Sequence, residues 1–168
     1  MPISEYIQSL RRHIGTDLIF MPAVMAIVFN GRGEVLLGLD PNTNNWHVIG
    51  GALDPHEEPA ACAVREVKEE TGIDVRVDRL VGVYNGPFIK YANGDQVQYL
   101  TISILCRTID DGQAPRVVDE ELIDVRFWPI DQLPEGMDEW IKAKIRRAAS
   151  GGMEGELVRV APVGQSRE

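Results

Sequence analysis

Three carboxylates, Glu66, Glu69 and Glu70, fall in the stretch Pro59 to Thr71, whose ends read as those of a helix. Pro59 suits the first helical position, and Gly72 suits the left-handed residue just past the last turn. At about 100° per residue the carboxylates share one sector, beside a stripe of Ala60, Ala63, Val64, Val67 and Thr71. Like charges three and four residues apart repel by a few tenths of a kcal/mol, so helix stability does not explain them. A hard divalent cation reverses the sign. Mg2+, or Mn2+ in its place, takes oxygen ligands and combines one or two protein carboxylates with substrate phosphates. The expected chemistry is metal-assisted hydrolysis of a phosphoric anhydride. Because an acidic helix face is ordinarily just solvated, this reading needs support from the surrounding residues.

Support comes from the spacing around the helix. Gly51 is followed after five residues by Glu57 and after seven more by Arg65-Glu66-Val67-Lys68-Glu69-Glu70-Thr71-Gly72-Ile73. The stretch resembles the Nudix hydrolase signature at every defined position. Seven fixed identities and two aliphatic positions arise by chance in a chain of this length less than about once in 10⁵. The resemblance implies a Nudix-like α/β/α sandwich with a mixed central sheet over residues 16–150, preceded by an amphipathic helix (1–15) and followed by a tail (151–168). It also implies water attack on a nucleoside diphosphate joined to another group. Glu69 and Glu70 are then the principal metal ligands, Glu66 a ligand or water-activating base, and the Gly50 carbonyl a further ligand. Arg65 orders the carboxylates by pairing with Glu69 or Glu57. Family members often complete the site from a late loop, where Asp119, Glu120 and Glu121 are the candidates and Glu120 the favoured one.

The chain departs from the family pattern at several points. Val48-Ile49 replace the frequent Leu-Pro before the paired glycines, His56 replaces a frequent Gly, and Leu39-Asp40 stand where many members carry Arg. A missing basic side chain there favours ADP-ribose or a nucleotide sugar over a nucleoside triphosphate, and Pro87 points the same way. Trp46, His47, Tyr84, Phe88 and Tyr91 are the candidate substrate-binding residues. The alternatives are triphosphate hydrolysis, or a nucleotide-sensing module of the same fold without turnover.

Composition narrows the setting. The 168 residues carry a net charge of -9 and are 44% hydrophobic, enough for one core. With a pI near 4.8, binding to nucleic acid or anionic membranes is not expected, and a small nucleotide would need a bridging cation. Cys62 and Cys106 are too few for a disulfide framework, and the N-terminus has no apolar signal segment, so a reducing cytoplasm is the expected compartment.

The elements that must position this chemistry follow from periodicity. Ile3, Tyr6, Ile7, Leu10 and Ile14 recur at helical spacing, a stripe that also motivates a homodimer. Asn30-Gly31 joins two apolar runs as a hairpin, and Tyr91–Asp95 joins two alternating ones. Ile123, Val125 and Phe127 read as one face of a short strand. Met137, Trp140, Ile141, Ile145 and Ala148 return to helical spacing. Leu157, Val158 and Val160 are the expected anchors of the tail.

Overall fold

The computed structural model describes residues 4–151 and the backbone of residues 156–157. Helix α1 (Glu5–Ile14) is capped by the Ser4 side chain, which accepts from the Ile7 amide at 3.4 Å. Strands β1 (Ile19–Phe29), β2 (Val35–Leu39), β3 (Trp46–His47) and β4 (Ile49–Ala52) precede helix α2 (Pro59–Thr71). Strands β5 (Val75–Lys90), β6 (Gln96–Thr108) and β7 (Asp124–Trp128), helix α3 (Glu139–Ala149) and the short β8 (Glu156–Leu157) follow.

The sheet runs β3-β2-β1-β6-β5-β8, with β4 paired to β1 and β7 to β2. Its centre is the parallel pair β1–β6, in register from Ile19 opposite Val97 to Phe29 opposite Arg107. Alternation along β1 assigns the two faces. Val24, Ala26 and Val28 pack with Cys62, Ala63 and Val67 of α2. Ile27 and Phe29 point the other way, onto Ile145 and Ala148 of α3. Ile19 and Met21 share that second face and carry Ile7 and Leu10 of α1. The fold is thus the expected sandwich, with α2 on one side of a mixed sheet and α1 and α3 on the other. Among the described residues no helix is long and apolar enough to cross a membrane.

Three expectations change. The buried face of α2 is Cys62, Ala63, Glu66, Val67, Glu70 and Thr71, while Ala60 and Val64 are exposed. The helix is turned so that two of the three carboxylates enter the interior rather than forming a solvent ledge. Ile123 lies outside β7 and is exposed; its amide instead donates to the Leu39 carbonyl at 2.9 Å, closing the loop onto β2. The glycine-rich β4, absent from the periodicity, is the strand that α2 faces. Of the tail anchors, Leu157 belongs to β8, which pairs with Gly82 and Val83; Val158 and Val160, like Ile3, lie outside the described residues.

Candidate active site

The local sequence fixes where α2 aims its acids. Gly72 closes the helix at φ 72°, its amide donating to Lys68. At the other end the chain arrives from β4 through the loop that carries Glu57. Gly50 and Gly51 let α2 and β1 close on this strand. A Cβ at Gly50 would overlap the Val24 carbonyl, and one at Gly51 would overlap the Glu66 carboxylate. No other residue fits at either position without displacing what it touches.

Arg65 organises the acids. Its Nε and Nη2 donate to the two oxygens of Glu57 at 2.7 and 2.8 Å, and Nη1 donates to Glu66 at 2.8 Å and to Glu69 at 3.1 Å. One guanidinium therefore ties the loop to the helix through three carboxylates, a geometry that the planar fork of arginine supports and lysine does not. The same guanidinium holds the Glu57 carboxyl below its ordinary range, helped by the Asp54 amide. Glu69 is half exposed and Glu66 buried.

The buried pair behaves differently. Burial pushes the Glu66 carboxyl up in spite of Arg65. Glu70 rises to about 8, through burial first and then repulsion from Glu66 and Asp119, partly offset by the Gly50 amide. Oε2 of Glu66 and Oε1 of Glu70 are buried without a hydrogen-bond partner. Two desolvated carboxylate oxygens one helical turn apart cost several kcal/mol unless something positive reaches them. Their chemistry, hard anionic oxygen beside a glycine strand, fits Mg2+ or Mn2+. Among the described residues no three His, Cys, Asp or Glu side chains already surround a common point, so Glu69 would have to turn inward to join them. Gly50 meets Glu70 through its amide.

Beside Gly51 lies a cavity of about 500 Å³. Glu66 and Arg65 reach it, together with Asp54, Ala52, Ile19, Met21, Val97, Tyr99, Glu121, the turn residues Tyr91–Asn93 and Asp95, and Ser4, Ile7 and Arg11 from α1. A smaller hollow of about 270 Å³ continues along the same face past Gly51, Ala52 and Tyr99 to His47 and Ile141.

The sequence candidates divide accordingly. Glu57, Arg65, Glu66, Glu69 and Glu70 are brought together, with Gly50 beside them. Tyr91 lines the larger cavity and His47 the smaller, with its Nδ1 2.8 Å from the Val48 carbonyl oxygen. Trp46 instead packs edge-on against Trp128 under Arg126. Tyr84 is buried between Trp140 and Lys144, and Phe88 is exposed. In the late loop Glu120 is exposed, Asp119 acts electrostatically on Glu70, and Glu121 reaches the cavity.

The departures have structural reasons. Val48 and Ile49 fill the cores under α3 and α2 respectively. Asp40 closes its own turn, accepting from the amides of Asn42 and Thr43 at 2.6 and 3.1 Å. His56 adopts φ 70°, the region glycine favours. Sequence reasoning did not place α1 at the site. The stripe that carries Ile7 was visible, but its partner surface on β1 and β6 was not.

Comparison with known proteins identifies the family and the fold. The NUDIX domain model matches residues 19–149. The human diphosphoinositol polyphosphate phosphohydrolase 2 is 35% identical over 68 residues, 40% of this chain and 37% of that protein. The RNA pyrophosphohydrolase of Roseobacter denitrificans is 36% identical over 64 residues, 37% of this chain and 40% of that one. The chain thus spans well under half the length of these curated relatives. An ADP-ribose pyrophosphatase from Streptococcus suis 89-1591 superposes with a TM-score of 0.63 at 22% identity, covering 80% of this chain and 96% of that structure. A UDP-X diphosphatase does so with a TM-score of 0.62 at 22% identity, covering 92% and 74%. At such identity the superpositions establish the fold. Since the matched residues run from the first strand through α3 and include the whole signature, this chain belongs to the NUDIX domain family.

Proposed function

We propose that the chain hydrolyses the pyrophosphate bond of a nucleoside diphosphate joined to a second group, with ADP-ribose or a nucleotide sugar as substrate. The observation that supports it most is the pair of buried, unpartnered oxygens on Glu66 and Glu70 beside Gly51. Glu66, Glu70 and Glu69 would hold Mg2+ or Mn2+, which would supply neutralisation of the diphosphate charge that grows in the transition state. Arg65 keeps these carboxylates at fixed positions and contributes no charge of its own to substrate, being consumed by Glu57, Glu66 and Glu69. Glu66 accepts from Arg65 on one oxygen only, which supports a part as ligand or as the base that takes a proton from water. In the late loop, contact with the cavity favours Glu121 over Glu120 for a supporting acid.

The charge of the cavity supports the substrate class. Its lining holds the cations Arg11 and Arg65 against the carboxylates of Asp54, Glu66, Asp95 and Glu121. Both cations are already bound to protein acids. Such a lining, bridged by one cation at the diphosphate, suits a partner group without further phosphates better than a polyphosphorylated inositol, an RNA end or a triphosphate. The two buried, free cysteines agree with a reducing cytoplasm.

The deciding experiment supplies Mg2+ with a panel of ADP-ribose, nucleotide sugars, dinucleoside polyphosphates and nucleoside triphosphates, ranked by kcat/KM. ADP-ribose or a nucleotide sugar should lead. A triphosphate leading by about tenfold or more would reverse the substrate assignment, and no turnover with any divalent metal would return the chain to a nucleotide-sensing module. A homodimer is proposed on the exposed apolar residues Phe20 and Phe88, which flank Gln98 in one register row. Light scattering that gives the monomer mass of 18.7 kDa would dismiss it.

A further inference from the structure

The cavity beside Glu66 is walled by a helix outside residues 19–149. Helix α1 contributes Ile7 and Arg11 and its cap Ser4, and the β5–β6 turn faces it with Tyr91, Ala92, Asn93 and Asp95. These two walls are fastened together. Arg11 donates to the carbonyls of Gly15, Asp17 and Gln96 at 3.1, 2.6 and 3.0 Å, and its Nε lies 3.3 Å from Asp95 Oδ1. Gln96 answers by donating to the Thr16 carbonyl at 3.3 Å. The terminal nitrogens of Arg11 are therefore spent on holding the wall, and its charge is paired with Asp95, although Nε, buried, has no hydrogen-bond partner.

What remains for a ligand is a mostly apolar surface with a polar rim. Ile7, Ile19, Met21, Ala52 and Val97 supply the apolar part. The hydroxyls of Tyr91 and Tyr99 stand 3.1 Å apart. One proton lies between them, so the pair keeps one further O–H to donate and lone pairs to accept with. Burial pushes the Tyr99 phenol well above its ordinary range and keeps it neutral. A sugar ring, with a hydroxyl on almost every carbon, would leave most of these groups unpaired against Ile, Met and Val. A flat heteroaromatic ring buries its faces on apolar and aromatic walls and needs only a few polar contacts at its edge.

We propose that the chamber between α1 and the Tyr91–Asp95 turn binds the nucleobase of the substrate. The assignment rests on the preceding reading, that the diphosphate lies at Glu66 and Glu70, because Gly51, Arg65 and Glu66 border the same chamber. Helix α1 is then the specificity wall, Ile7 and Tyr91 are the residues that meet the base, and Arg11 positions them without touching it.

Calorimetry with AMP, UMP and ribose 5-phosphate, in millimolar Mg2+, tests this on the full chain. The parent protein should bind one of the nucleotides at least about tenfold tighter than ribose 5-phosphate, the scale that base stacking supplies. Ile7→Trp, which fills the chamber, and Tyr91→Ala, at an exposed turn position, should each bring that preference within about twofold while ribose 5-phosphate binds as before. Thermal melts confirm that Ile7→Trp folds, and Tyr91→Ala keeps the test available where it does not. A parent without preference, or variants that retain it, would overturn the chamber assignment. Turnover measured alongside separates the two readings. Hydrolysis with the preference untouched by either variant keeps the hydrolase and removes the chamber, whereas a preference lost in both variants without any hydrolysis does the reverse.

Discussion

Gly51 yields its side-chain space to Glu66: a Cβ on that glycine would overlap the carboxylate of the buried acid. Glu66 cannot step aside cheaply, because Arg65 holds one of its oxygens at 2.8 Å and the helix packs on β4. Gly51→Ala should therefore raise the Mg2+ concentration needed for half-maximal activity and lower kcat at least about tenfold. The overpacking should cost about 1–3 kcal/mol of stability. Titrating activity against Mg2+ checks the first effect, and urea unfolding checks the second. A variant with the parent's metal dependence would place the ion elsewhere.

Glu70→Gln should lower kcat at least about a hundredfold, since it removes a charge that the bound ion needs to carry the transition state. KM should change much less. Without metal the same substitution should stabilise the protein by about 1–3 kcal/mol at pH 7, because a neutral amide escapes both the burial penalty and repulsion from Glu66. Opposite signs in activity and stability separate a ligand from a residue that merely packs. If the metal-free variant melted lower than the parent, the buried carboxylate would be a structural partner.

How much of this was legible depended on whether the determinant was local. Pro59 and Gly72 bound α2 because both act through their own backbone. The turns at Asn30 and Tyr91 read correctly for the same reason. The rotation of α2 was not legible, since small residues such as Ala60 and Val64 suit either face. What decides it is the pair of glycines in β4, of which Gly51 leaves room for the Glu66 carboxylate and Gly50 for the backbone of Val24, and whose own strand has no periodic signal. The aromatic candidates failed to sort for a similar reason. Tyr84, Trp46 and Tyr91 look alike in sequence, and only the register of β5 with β6 and the course of α3 bury the first. Helix α1 showed its apolar stripe but not what it would cover.

His56 holds a left-handed backbone at φ 70° in the loop that delivers Glu57 to Arg65. An L side chain there costs about 1–2 kcal/mol, and glycine returns about half of that gain through its freedom in the unfolded chain. His56→Gly should thus stabilise the protein by about 0.5–1 kcal/mol, with kcat and KM unchanged within about twofold. Chemical denaturation measures the first and steady-state kinetics the second. A large fall in kcat would assign the imidazole a part in the reaction that its exposed position does not indicate.

Stability without metal should fall as pH rises. A carboxyl whose folded pKa exceeds its unfolded value binds more protons in the folded state across that interval, so the unfolding free energy declines with pH there. For Glu70 the interval runs from the ordinary 4.5 to about 8, and burial drives Glu66 in the same direction. Glu57 has the opposite sign, since Arg65 lowers it; its contribution is already complete above the ordinary range and is lost only in acid. Between about pH 5.5 and 8 the buried pair therefore sets the slope. A divalent ion needs these carboxylates ionised, so its binding expels protons below about pH 8 and tightens as pH rises, by about tenfold per unit for each proton released. Melting temperatures in EDTA should drop across this range, while those in millimolar Mg2+ should hold or rise, so that the gap widens with pH. Parallel curves would show that Glu66 and Glu70 do not receive the ion.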